Sequence, residues 1–187
     1  MPNSSDRPSR PGLSPLAAAL TVGCVFLGFG LASRRYSPDP SHPDIRRWYG
    51  RLDKPGYKPP DAVFGAAWPV LNAMQAAGAY RLLRAPAGAE RDAAIALWLL
   101  SQALVTAYGK IAFGEKSLTG GVVAATALVA ASGAFVERAA RVDPVAAALG
   151  VPITAWSAFG DALTEDLRER NSDLDGHEVP ERLVRPG

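Results

Sequence analysis

The stretch LTGGVVAATALVAASGAFV, residues 118–136, decides the fold. It runs for 19 residues without a Lys, Arg, Asp, Glu or His. At about 1.5 Å of rise per residue, a helix of this length covers most of the ~30 Å hydrocarbon layer of a bilayer. In isolation it reads equally well as the core helix of a soluble domain. Working outward, four more uncharged stretches appear, at 16–32, 62–80, 93–109 and 145–160. Five of them, joined by short charged connectors, would leave a soluble chain almost no amphipathic helix to turn toward water. The expectation is an all-α protein, a five-helix transmembrane bundle over residues 16–170. Polar tails at 1–15 and 171–187 are expected to be disordered. Averaged hydropathy is near zero only because these segments are mixed with the tails and one basic loop.

Ala, Gly and Val dominate the uncharged stretches, so insertion is weakly driven per residue and close helix approach is favoured instead. Gly23, Gly28, Gly30, Gly78, Gly120, Gly121 and Gly133 are the candidate contact points, and their surface is a candidate homodimer interface. Leu31-Ala32-Ser33 after the first stretch resembles a signal-peptide end, but Arg34 and Arg35 follow as a stop-transfer flank, so this stretch is read as a span. Basic residues concentrate in the first loop, with Arg34, Arg35, Arg46, Arg47, Arg51, Lys54 and Lys58. The positive-inside bias then favours an extracytoplasmic N-terminus and a cytoplasmic C-terminus. The lone Cys24 excludes an intramolecular disulfide and a thiolate metal site. His42 and His177 have no second ligand at metal spacing and are expected in solvent. No Ser/His/Asp set, phosphate loop or paired-carboxylate motif is present, so hydrolase and transferase chemistry has no support. Nothing points to a nucleic-acid partner.

The connector from Ser33 to Asp61 is long and carries Trp48, Tyr49 and Tyr57 among its charges. Loops of this length are usually functional or disordered, and amphipathic aromatics suit a membrane interface or the lid of a pocket. Pro59 and Pro60 mark a helix start, where a missing N–H costs nothing. Pro69, beside Trp68, and Pro152, four residues before Trp156, fall inside spans and should bend them. Two bent helices with a tryptophan near each bend would open a cavity. Asp161 is expected where the last helix emerges into water.

The run Trp48-Tyr49, Leu52, Lys54-Pro55, Pro59-Pro60, Phe64 and Trp68 resembles the WYxxLxKPxxxPPxxxFxxxW signature of the tryptophan-rich sensory protein / translocator protein family. Pro152, Trp156, Phe159 and Leu163 are similar to its fifth-helix pattern, and Gln102, Ala103, Leu104, Ala107, Phe113 and Gly114 match its third more loosely. The resemblance implies a ligand cavity beneath the first loop, often in a dimer, that takes porphyrins and other tetrapyrroles, with sterol as a further ligand. Some bacterial members break down protoporphyrin in light through two tryptophans, which align with Trp68 and Trp156. The chain departs from the pattern at Val105, Tyr108, Lys110, Ile153, Gly160 and Thr164.

The site expected on these grounds is Trp48, Tyr49, Pro59, Phe64, Trp68, Tyr108, Trp156, Phe159 and Gly160. A flat apolar tetrapyrrole needs wide aromatic faces, and an indole offers the widest together with one N–H donor. The favoured reading is a binding protein with a sensory, regulatory or transport role for a haem-like tetrapyrrole, requiring no cofactor and no metal. A photo-oxidative porphyrin-degrading enzyme, with Trp68 and Trp156 as catalytic candidates, and a ligand-free scaffold are the alternatives. The departures remove neighbours that photochemistry would need, which is why binding is preferred to catalysis.

Overall fold

The computed structural model describes residues 10–176, and every described element is helical. Six α-helices follow in order: α1 (Pro15–Ser33), α2 (Pro43–Arg51), α3 (Asp61–Arg84), α4 (Ala89–Tyr108), α5 (Leu118–Ala140) and α6 (Pro144–Arg170). A 3₁₀ turn at Arg34–Tyr36 closes α1, and a π-helical turn at Gly109–Gly114 closes α4. The starts are written in the sequence. Ser14 accepts the N–H of Ala17 at 3.2 Å, Ser117 accepts that of Gly120 at 3.1 Å, and Asp143 accepts those of Val145 and Ala146 at 2.9 and 3.1 Å. Each satisfies donors that the first helical turn leaves unpaired.

Among the described residues four helices are long and apolar enough to cross a membrane: α1 with its 3₁₀ turn, α4 with its π turn, α5 and α6. The fifth expected span is not among them. The missing one, α3, has the length at 24 residues. It falls short in composition, because Trp68, Pro69, Asn72 and Gln75 interrupt its apolar run.

α5 packs most closely, against α4 and α6, while α6 leans on α3 and α3 on α1. Small residues make these contacts, though not all of the expected ones. A Cβ on Gly150 would lie 2.5 Å from Phe135 Cε1, one on Gly121 would lie 3.1 Å from Ala112 Cβ, and one on Gly78 would lie 3.2 Å from the Ala146 carbonyl. Gly23, Gly28 and Gly30 face open space instead. α1 touches the bundle through Ala18, Val22 and Phe26 and turns Leu16, Leu20, Leu27 and Leu31 outward, Leu27 being 64% exposed. In water that would be a defect, whereas in lipid it is the expected outer surface.

Charges gather at the two ends. At one, Arg81 binds Asp143 (2.8 Å), while Arg138 and Arg141 share Glu90 (3.1 and 3.2 Å). At the other, α2 closes over the bundle. A hydrogen bond between two side-chain amides crosses the interior, with Gln102 Nε2 donating to Gln75 Oε1 at 2.9 Å.

Residues 10–14 and 171–176, expected to fall in the tails, are held against the bundle. Residues 10–14 run beside the end of α3, with Leu13 N–H on the Leu83 carbonyl (2.9 Å) and Ala87 N–H on that of Arg10 (2.8 Å). Residues 171–176 turn back under α2. Asn171 accepts the Asp53 N–H (2.7 Å) and donates to the Asp53 carbonyl (2.9 Å), and Asp175 caps α5 through the Leu118 N–H (2.6 Å). Gly176, at φ 73°, reaches the Lys116 carbonyl at 2.8 Å. Residues 1–9 and 177–187, including His177, lie outside the described residues. His42 is half-buried beside Asp39 (3.2 Å), not free in solvent.

Candidate functional site

The apolar stripes of α3 and α6 do not close completely. Between them lies an open groove of about 710 Å³, lined by Val63, Ala66, Ala67, Val70, Leu71 and Met74 from α3 and by Pro152, Ala155, Trp156 and Phe159 from α6. The volume lies within the usual ~300–1,000 Å³ of small-molecule sites. Val63 and Val70 are exposed along one lip, so the groove faces the surface that lipid would cover. Its lid-side end is aromatic. Phe64 meets Trp156 edge-on at 5.4 Å, Trp156 tilts against Phe159 at 5.7 Å, and Tyr57 meets Phe159 at 6.3 Å.

A second cluster lies inward of this, under α2. Phe113 receives the edges of Tyr49 (5.7 Å) and Tyr108 (5.9 Å). The π turn puts Phe113 there: the Glu115 N–H reaches back to the Lys110 carbonyl at 2.8 Å, so the chain is wound one residue wider than in an α-helix. Thr164 donates to the Gly160 carbonyl (2.7 Å), which leaves its oxygen to accept the hydroxyl of Tyr108 at 2.9 Å. Burial first, then the charge of Asp61, pushes the Tyr49 phenol up to about 12.

The expected site residues thus divide. Trp156 and Phe159 line the groove, and Phe64 backs Trp156. Tyr49, Tyr108 and Gly160 belong to the inner cluster. Pro59 stands at the start of α3, its carbonyl taking the Lys58 ammonium at 3.1 Å. Trp48 is 1% exposed and packs on Leu52, Leu118, Leu163 and Leu167 with its indole N–H on the Leu174 carbonyl (3.3 Å), so it pins the lid down. Trp68, half-buried, contributes to no wall of the groove. It follows Ala67 by one position and so points about 100° further round α3. The two indoles do not face each other across this groove.

Sequence reasoning missed Thr164, noted only as a departure, and the clasp of Asn171 and Asp175. Asp161 is half-buried in the α5–α6 seam, where Thr126 donates to its carboxylate at 3.1 Å, while α6 continues to Arg170. Among the described residues no group of three His, Cys, Asp or Glu could hold a metal.

Comparison with known proteins places this arrangement. The model of the TspO/MBR family matches residues 18–168. The chain belongs to the TspO/MBR family. Among its relatives are the translocator proteins of Homo sapiens, 30% identical over 143 residues (75% of this chain, 85% of the relative), and of Sus scrofa, 32% identical over 144 residues (71% and 80%). That of Bos taurus is 30% identical over 136 residues (67% and 75%). The matched TspO/MBR region covers α1 to α6 and the lid between α1 and α3, almost to the end of α6. With its four long apolar helices, this family member is an integral, multi-pass membrane protein.

Proposed function

We propose that this TspO/MBR protein binds a flat, hydrophobic ligand of tetrapyrrole type in the groove between α3 and α6, in a sensory, regulatory or transport role. The observation that carries the reading is the groove itself: about 710 Å³, apolar, open toward lipid, and ending in Trp156 and Phe159. A macrocycle entering from the bilayer keeps its apolar faces out of water throughout and stacks where the indole lies. The relatives' name, translocator protein, supports a ligand that is moved or released rather than consumed. Photochemical breakdown through paired indoles is less well supported, because only Trp156 of the two lines the groove.

On this reading α3 is the fifth span. Gln75, its most polar buried residue, is met by Gln102 inside the bundle, so this polar interruption does not face lipid. Five crossings put the termini on opposite sides, with the basic first loop and the C-terminus cytoplasmic. The outward leucines of α1 are available to lipid or to a second copy.

The test is titration of the purified protein with protoporphyrin, following tryptophan emission and then illuminating the sample. Quenching that weakens in Trp156→Ala, with no spectral change in light, supports binding. Light-dependent loss of the porphyrin band only in the wild type supports the enzyme. Absence of quenching at any concentration leaves the scaffold and rejects the binding reading.

A further inference from the structure

Arg34 and Arg35 close α1 at a depth that the helix itself fixes. Pro15 to Tyr36 forms one span of 22 residues, which at about 1.5 Å per residue runs roughly 33 Å. The ~30 Å hydrocarbon layer is therefore used up where the two arginines begin, and both are exposed there. Leu20, Leu27 and Arg34 recur at intervals of seven and so share one helix face, while Leu31 stands one turn before Arg35. All three leucines are exposed, an apolar track that ends in two guanidinium groups.

Neither charge is answered within the described residues. Arg34 and Arg35 make no ion pair and no side-chain hydrogen bond there. The acidic side chains on adjoining segments are engaged elsewhere: Asp39 accepts the Ser41 N–H at 2.8 Å and faces His42 at 3.2 Å, and Glu115 pairs with Lys110 at 3.3 Å. Lys110 and Glu115 cancel, which leaves this corner two uncompensated positive charges. The turn that carries them is fixed to the bundle. Ser33 and Thr106 share a hydroxyl hydrogen bond at 3.0 Å. The Tyr36 ring lies so close to the π turn that a Cβ on Gly114 would stand 2.7 Å from its Cδ1. The guanidiniums thus project from an anchored turn, with only their own side chains to order on binding.

A positive pair at headgroup depth, at the end of a face that lipid covers, is complementary to a molecule with a phosphate at one end and acyl chains behind it. Guanidinium groups take phosphate oxygens two at a time. A zwitterionic headgroup brings its own cation and answers the pair less well than one with net negative charge. We propose that the corner formed by α1, its 3₁₀ turn and the π turn of α4 is a binding site for an anionic phospholipid. Its phosphate lies on Arg34 and Arg35 and an acyl chain runs along Leu31, Leu27 and Leu20. The site is separate from the α3–α6 groove and stands or falls without it.

The test uses the full chain in uncharged detergent. Native mass spectrometry counts bound lipids during titration with phosphatidylglycerol and with phosphatidylcholine of the same acyl chains. A basic residue at an anionic surface contributes about a factor of five, so the first phosphatidylglycerol should bind roughly 25-fold more tightly, with the margin shrinking as salt rises. Arg34→Gln with Arg35→Gln should bring the two lipids within about twofold. Arg46→Gln with Arg47→Gln, which removes two exposed arginines of α2, should leave the preference intact. Equal wild-type affinity for the two lipids overturns the proposal. So does an equal loss in the α2 variant, which would assign the preference to overall charge. Displacement by excess inorganic phosphate would make this a free-phosphate site, and a dimer carrying no phosphatidylglycerol would give the face to a second copy; either result overturns the lipid. The wild-type comparison holds even if the Arg34 and Arg35 variant does not fold.

Discussion

Asn171→Ala should loosen the lid without loosening the bundle. Asn171 is 3% exposed and makes three hydrogen bonds, two with the backbone of Asp53 and one to the Leu167 carbonyl at 2.8 Å. Alanine removes all three. Each bond contributes about 0.5–1.5 kcal/mol net, and the exposed backbone of Asp53 regains water once the amide is gone, so the low end applies and the two bonds to the lid account for about 1 kcal/mol. At about 1.4 kcal/mol per factor of ten, lid opening should become roughly fivefold more frequent. Hydrogen exchange in detergent reads this directly: amides from residues 46–58 should exchange about fivefold faster, while those of α5 keep their wild-type rates. Lid amides within about twofold of wild type would refute the clasp. Equal acceleration in α5 would show that Asn171 supports the whole bundle and not the lid.

The helix packing offers a contrast between glycines. Gly150→Ala forces a methyl group into the Phe135 ring and should cost about 1–3 kcal/mol, seen as a lower melting temperature in detergent, whereas Gly23→Ala, which meets nothing, should change little. A cycle on the central amides, Gln75→Leu and Gln102→Leu singly and together, should give a coupling of about 0.6 kcal/mol, with the double variant at least as stable as either single; additive losses would mean the pair contributes nothing. Acid should act through Asp143. Burial would raise its carboxyl, but the Arg81 guanidinium and the Ala146 and Val145 N–H groups outweigh it and hold it below the usual range. A depressed folded value means that this stabilisation is complete above the ordinary carboxylate value of about 4 and is lost as pH falls through the folded one. Melting temperature should therefore fall below pH ~4 in the wild type, and Asp143→Asn should start lower and lose part of that acid slope; parallel curves would refute it.

Much was decided by the sequence alone. Uncharged runs of membrane length, the helix start after Pro59 and Pro60, and the aromatic spacing from Trp48 to Trp68 are local features, and local chemistry is enough to write them as helices, a start and a family signature. Trp156 and Phe159 share a wall because residues three apart on a helix must share a face. What the sequence could not settle depends on which faces meet. Pairing Trp68 with Trp156 required knowing how α3 is rotated, and a one-position difference moves a side chain by about 100°. Gly23 and Gly150 are alike in sequence, and only the approach of Phe135 separates a contact from open space. Residues 171–176 are polar enough to look free, yet they are held because the backbone groups of Asp53, Leu118 and Lys116 find their hydrogen-bond partners there. Hydropathy and spacing belong to a segment by itself. Rotation, close approach and the satisfaction of distant hydrogen-bonding groups belong to pairs of segments, and only the folded chain brings those pairs together.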